Sequence, residues 1–149
     1  MASEHRVSIK WQRATPDFEY KTYGRNHTWD FGHGVVVPAS AAPKYFGDDT
    51  RVDPEQAFVA SLSSCHMLTF LALAARKKIA VNRYEDNVVG ILDFNQNKKL
   101  AITEVTLKPQ IEFDPATQPD AETLQQLHHH AHEECFIANS VTTKVKVEY

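Results

Sequence analysis

Residues 53–78 read DPEQAFVASLSSCHMLTFLALAARKK, and this stretch decides the fold. Asp53 suits the residue before a helix, because its carboxylate can accept hydrogen bonds from the free N–H groups of the first turn. Pro54 suits the first helical position, and Gln56 completes a reciprocal capping spacing with Asp53. The spacing predicts a helix running to about Lys78. From Phe58 to Ala75 the helix carries no formal charge, close to the length that crosses a bilayer. Ser61, Ser63, Ser64, His66 and Thr69 lower its hydrophobicity, however, and no second such segment exists. Its small residues lie all around the circumference. The expectation is therefore a central helix buried on every side by protein and approached closely by another helix, with no membrane partner.

Outward from this helix the pattern alternates between periods. Upstream, Val7, Ile9 and Trp11 share one side of a strand over residues 5–13. Ala14-Thr15-Pro16-Asp17 signals a turn, and Phe18–Tyr23 is expected to return as the second strand of a hairpin. From Gly24 to Asp53 the chain reads as loop apart from a short strand at Val35–Val37. A loop this long in a small domain is more often functional than idle. Downstream, Tyr84–Phe94 and Ala101–Phe113 read as two long strands around the polar turn Asn95-Gln96-Asn97-Lys98, with a register break near Glu104. Pro115–Pro119 is a turn. A second helix is expected over Asp120–Cys135 with Leu124, Leu127 and Ala131 on one face, and Ser140–Tyr149 closes the chain as a strand. Strands, helix, strands, helix, strand is an α+β order, here one domain over residues 1–149.

Composition narrows the class. The chain has 149 residues, 42% of them hydrophobic and 23% charged, which excludes a disordered or collagen-like polymer. A formal net charge of −3 gives no general pull toward nucleic acid. Two cysteines are too few for a disulfide-stapled secreted scaffold, and residues 1–6 have no apolar core of the signal-peptide kind, so a cytoplasmic, reducing compartment is expected.

Two thiols in such a compartment need a reason. Cys65 lies in the middle of the first helix and Cys135 at the end of the second. Free cysteines are commonly small buried hydrophobes. Yet each of these occupies the presumed packing face of its helix, so a close helix approach could bring them together as a reversible dithiol, catalytic or sensory. Cys65 is about three turns from its helix N-terminus, too far for the dipole to favour a thiolate, so a cation must come from elsewhere. Arg25 is the best candidate and Arg51 its rival. Glu55 sits in a first helical turn, where an acidic residue is stabilised by the dipole in any case. His128 and His132, four apart with Cys135 one turn on, form a possible three-ligand zinc set. A zinc-binding protein or hydrolase thus stays open as a rival, as does a non-catalytic redox sensor.

At this point the sequence resembles a known family. DPEQAFVASLSSCHMLTFL resembles the first-helix signature of the OsmC/Ohr thiol peroxidases, with Glu55 and Cys65 at the family spacing of ten. AHEECFIANSV resembles the second signature, matching at Ala131, His132, Cys135 and Asn139, while Phe136 and Ala138 replace the usual proline and serine. The resemblance implies strongly curved antiparallel sheets with two main helices, in protomers that intertwine as a homodimer. It implies reduction of organic hydroperoxides without a metal or other cofactor. Cys65 would be the peroxidatic thiolate, Cys135 the resolving thiol, and an arginine paired with Glu55 the activator. Recycling would need an external dithiol, which the family suggests is a lipoyl group. Phe46, Met67, Leu68 and Phe70 are expected to line an apolar substrate site. Ten helical residues span about 15 Å, so Glu55 would serve Cys65 of a partner protomer across a two-fold.

Overall fold

The computed structural model describes residues 2–149 and divides into two compact units, one running to Ala57 and the other spanning Phe58–Tyr149. In the first unit, β1 (Ser8–Lys10), β2 (His27–Asp30) and β3 (Val36–Ala39) form an antiparallel sheet with β2 in the centre. The hairpin expected at Phe18–Tyr23 does not form. Ser8 pairs with Asp30 and Lys10 with Thr28 instead, while the N–H groups of Thr22 and Tyr23 close a turn on the Glu19 carbonyl. The aromatic side chains of that stretch are taken up by one another, with Phe18 and Tyr23 ring centroids 5.0 Å apart and Trp11 within 6.3 Å of both. The β2–β3 turn passes through Gly32, His33 and Gly34, all at positive φ (81°, 54° and 80°), which is why glycines flank it. At the end of this unit the capping pair forms as the spacing predicts. Gln56 N–H donates to Asp53 Oδ1 at 2.7 Å, and the Asp53 N–H donates to Gln56 Oε1 at 3.1 Å.

The helix so started is α1 (Pro54–Arg76). Its buried residues, Leu62, His66, Phe70 and Ala74, recur every fourth position and make one stripe. Ala60, Ser64, Leu68 and Ala72 are exposed, Leu68 by 61%. The expectation of burial on every side is thus corrected: the protomer supplies packing partners along one face only. The remaining elements of the second unit are β4 (Val81–Asp86), β5 (Val89–Phe94), β6 (Leu100–Leu107), β7 (Pro109–Phe113), α2 (Ala121–Glu133) and β8 (Lys144–Val147).

Each of the two long strands read from the sequence is broken into two at the same level, after Asp86 and at Lys108, so that β4 pairs with β7 and β5 with β6. One carboxylate explains the corner. Asp86 Oδ1 accepts the Lys108 backbone N–H at 2.6 Å, Oδ2 accepts the Ser63 hydroxyl of α1, and Pro109 brings no N–H to continue the ladder. The register break near Glu104 is present as a bulge, where Ile91 faces Glu104 and Leu92 faces Ile102. β8 adds to the other edge of β6 in parallel, Val105 against Val145 and Leu107 against Val147. α2 begins at its cap Asp120, whose Oδ1 accepts the Thr123 N–H at 2.8 Å, and ends just before Cys135.

Two apolar clusters hold this unit together. Phe70 and Ala74 of α1 pack with Leu127 and Ala131 of α2, with Tyr84, Ile111 and Phe113 around them. Leu62 packs with Val105 and Leu107, flanked by Phe58, Val59, Val145 and Val147. The first is the cluster that fixes α1 against α2. Truncating Phe70, fully buried, to alanine should therefore cost about 3–5 kcal/mol in urea unfolding. Truncating Phe136, 80% exposed, should cost about 0.5 kcal/mol or less. Equal losses for the two would contradict this assignment of the core.

Candidate active site

The two thiols meet. Cys65 projects from the middle of α1 and is half-buried, whereas Cys135, just past the end of α2, is 1% exposed. Both are free, and Cys65 is near enough to Cys135 to help raise its pKa. Burial pushes the Cys135 thiol up to about 11, helped by that neighbour and opposed by the Ala138 N–H, which donates to its Sγ at 3.4 Å. The pair is therefore chemically unequal. Cys135 is held as a protonated, sheltered thiol, and Cys65 is the one within reach of a reagent.

Arg25 and Glu55, separated by 30 positions, line a single cavity of about 500 Å³ in the first unit. The guanidinium carbon of Arg25 lies 3.7 Å from the Tyr23 ring centroid, 5.2 Å from that of Phe46 and 5.6 Å from that of Tyr20. Two of its N–H groups donate to the carbonyls of Tyr20 and Tyr23, which leaves three free of protein carbonyls. Arg51 is engaged elsewhere: its guanidinium pairs with Asp48 at 3.5 Å and donates to the His27 carbonyl, and it does not line the cavity. Of the expected apolar lining, Phe46 is near Arg25 but is not among the residues that line the cavity. Phe70 is spent on the α1–α2 core, Met67 is half-buried, and Leu68 stands exposed on the outer face of α1.

The three-residue zinc set of His128, His132 and Cys135 does not assemble within this chain. Among the described residues no group of three or more His, Cys, Asp or Glu side chains is placed to share a metal ion. His128 is instead committed to a partner that the sequence did not suggest. Its Nδ1 lies 3.1 Å from Nε2 of His66, both rings being almost fully buried and only 7° from parallel. Tyr149 stacks on the other side of His128, centroids 4.1 Å apart, and Phe70 lies 4.6 Å away. His66 occupies the same every-fourth-residue stripe as Leu62 and Phe70, the one signal that could have marked it as internal. The aromatic group of Trp11, Phe18 and Tyr23 beside Arg25 was also missed, because a strand was expected where two of its rings lie.

With this geometry in hand, the relatives can be placed. The family model for OsmC-like proteins matches residues 47–149. An OsmC-like protein of unknown function from Vibrio cholerae O1 biovar eltor is 45% identical, with a TM-score of 0.95 over 99% of each chain. An organic hydroperoxide resistance protein OsmC from Legionella pneumophila shares the fold at 19% identity, with a TM-score of 0.71 over 98% of this chain and 97% of its own. So does an organic hydroperoxide resistance protein from Elizabethkingia anophelis, at 18% identity and a TM-score of 0.69 over 99% and 95%. No curated protein sequence matches. The chain belongs to the OsmC-like family.

The buried imidazoles have a consequence for stability. Burial lowers His66 from 6.5 to about 4, with the nearby His132 lowering it further and Asp86 opposing, and burial followed by His66 lowers His128 to about 4. The unfolded chain takes up protons at these rings below pH 6.5 while the folded chain resists until about pH 4. Their contribution is therefore intact above pH 6.5 and lost between 6.5 and 4, about 3 kcal/mol for one ring. Urea midpoints should fall across this window in the wild type and fall less steeply in a His66→Leu/His128→Phe double variant. Parallel slopes would contradict the reading.

Proposed function

We propose that this protein is a cysteine-based peroxidase that reduces organic hydroperoxides to alcohols. The observation that carries the proposal is the nearness of two free thiols in one OsmC-like fold, Cys65 in the middle of α1 and Cys135 just past the end of α2. The Legionella and Elizabethkingia proteins of this fold, named for organic hydroperoxide resistance, support the same chemistry.

The cycle balances as follows. The Cys65 thiolate attacks the distal oxygen of ROOH; the O–O bond breaks, RO⁻ leaves and takes up a proton, and Cys65 becomes a sulfenic acid. Cys135 sulfur then bonds to Cys65 sulfur, releasing the sulfenic oxygen as water. An external dithiol, with lipoyl groups the suggested source, reopens the disulfide with two electrons, which suits a reducing cytoplasm. Arg25 would stabilise the thiolate and the departing alkoxide with its unengaged N–H groups, and Glu55 would orient it. Because ten helical residues separate Glu55 from Cys65, the Arg25–Glu55 cavity would serve the thiol of a second protomer in a two-fold homodimer. The exposed face of α1 along Ala60, Ser64, Leu68 and Ala72 is suited to such packing, since small side chains let helices approach closely.

Steady-state assays with cumene hydroperoxide and dihydrolipoamide test the cycle. Cys65→Ser should abolish turnover, and Cys135→Ser should consume about one equivalent of peroxide and then stall. Arg25→Met should cut kcat/KM by about 10²-fold. Cumene hydroperoxide should be favoured over hydrogen peroxide. Wild-type activity in Cys65→Ser would reject the mechanism, and equal or better turnover of hydrogen peroxide would reject the preference for organic substrates.

A further inference from the structure

The cavity that holds Arg25 and Glu55 has a second end. Trp11, Phe18 and Tyr23 wall it, and their three rings contact one another at centroid separations of 5.9, 6.3 and 5.0 Å, with interplanar angles of 57°, 86° and 44°. The group is braced independently of any ligand. Trp11 Nε1–H donates to the Gly24 carbonyl at 2.8 Å, so the indole has no polar hydrogen left to satisfy, and Tyr23 is held under the Arg25 guanidinium. All three residues precede position 47, outside the segment that the family model matches. The aromatic wall lies within the N-terminal unit.

We propose that this wall is a specificity subsite for ring-bearing hydroperoxides, in which an aryl group attached one or two carbons from the peroxide packs against Trp11 and Phe18 while the O–O group lies at Arg25. The proposal rests on the peroxidase reading and names its substrate class. The volume, about 500 Å³, is in the range of small-molecule sites, which bury most of a ligand of ten to twenty heavy atoms. Aromatic rings prefer tilted or edge-to-face partners, and such a pair adds roughly two- to tenfold in binding beyond the area it covers. A flexible alkyl chain of the same carbon number buries comparable surface, gains nothing from the ring quadrupoles and loses more rotational freedom on binding. The polar end distinguishes the two oxygens of the ligand from its body: Arg25 donates and Glu55 accepts, while Trp11 and Phe18 offer the body only ring surface, the indole N–H being spent on Gly24.

The product alcohols test this without thiol chemistry. With 2-phenyl-2-propanol and 2-methyl-2-octanol, which have equal carbon counts, binding to the reduced wild-type protein is followed by calorimetry and by tryptophan fluorescence. The aryl alcohol should bind roughly three- to tenfold more tightly. In Trp11→Leu and Phe18→Leu variants with unchanged circular dichroism, that ratio should fall to about one, and kcat/KM for cumene hydroperoxide should fall roughly two- to tenfold. Equal affinities in the wild type, or an aryl preference that survives both substitutions, would overturn the subsite. A wild-type protein that prefers the aryl alcohol but turns over no hydroperoxide would instead overturn the peroxidase reading and leave an aryl-binding site standing.

Discussion

Phe70 and Ala74 of α1 against Leu127 and Ala131 of α2 is the contact on which the proposed chemistry rests. Sulfur atoms 70 positions apart along the chain can exchange a bond only if their backbones come within about 7 Å, and interior packing is close enough that small side chains decide the approach. Two alanines at the crossing allow it, and a phenylalanine locks the rotation. The His66–His128 hydrogen bond closes the same interface with polar groups that would be costly left unpaired, and two neutral imidazoles can satisfy it where two charged ones could not.

The contact also sets the inequality between the thiols. Cys135 lies beyond the last turn of α2 and is enclosed; Cys65, on a helix packed along only one face, keeps part of its surface. A catalytic dithiol needs this asymmetry, since the sulfur that meets the oxidant must be reachable and the one that follows must stay reduced until then.

Much of this was legible in the chain itself. The Asp53–Gln56 capping pair, the start of α1 and the bulge near Glu104 each follow from interactions among residues a few positions apart, which a sequence displays directly. The errors arise where distant residues decide. Phe18–Tyr23 alternates well enough to be a strand, but β1 found a better partner in β2 and the aromatic rings found each other. The long strands break because Asp86 captures the Lys108 N–H, a pairing across 22 positions. His128 looked like a metal ligand through its neighbours on α2, whereas its partner is on α1. The nearness of Cys65 and Cys135 was expected from the faces they occupy on their helices. The aromatic wall was not, since nothing local says that Trp11 and Phe18 will share a cavity with Glu55.

The most direct measurement is peptide mapping by mass spectrometry after the reduced protein meets one equivalent of cumene hydroperoxide. The account predicts one new cross-link, joining the Cys65 and Cys135 peptides of the same chain, with one equivalent of alcohol released. Recovery of both cysteines as free thiols, or Cys65 oxidised without any bond to Cys135, would contradict it.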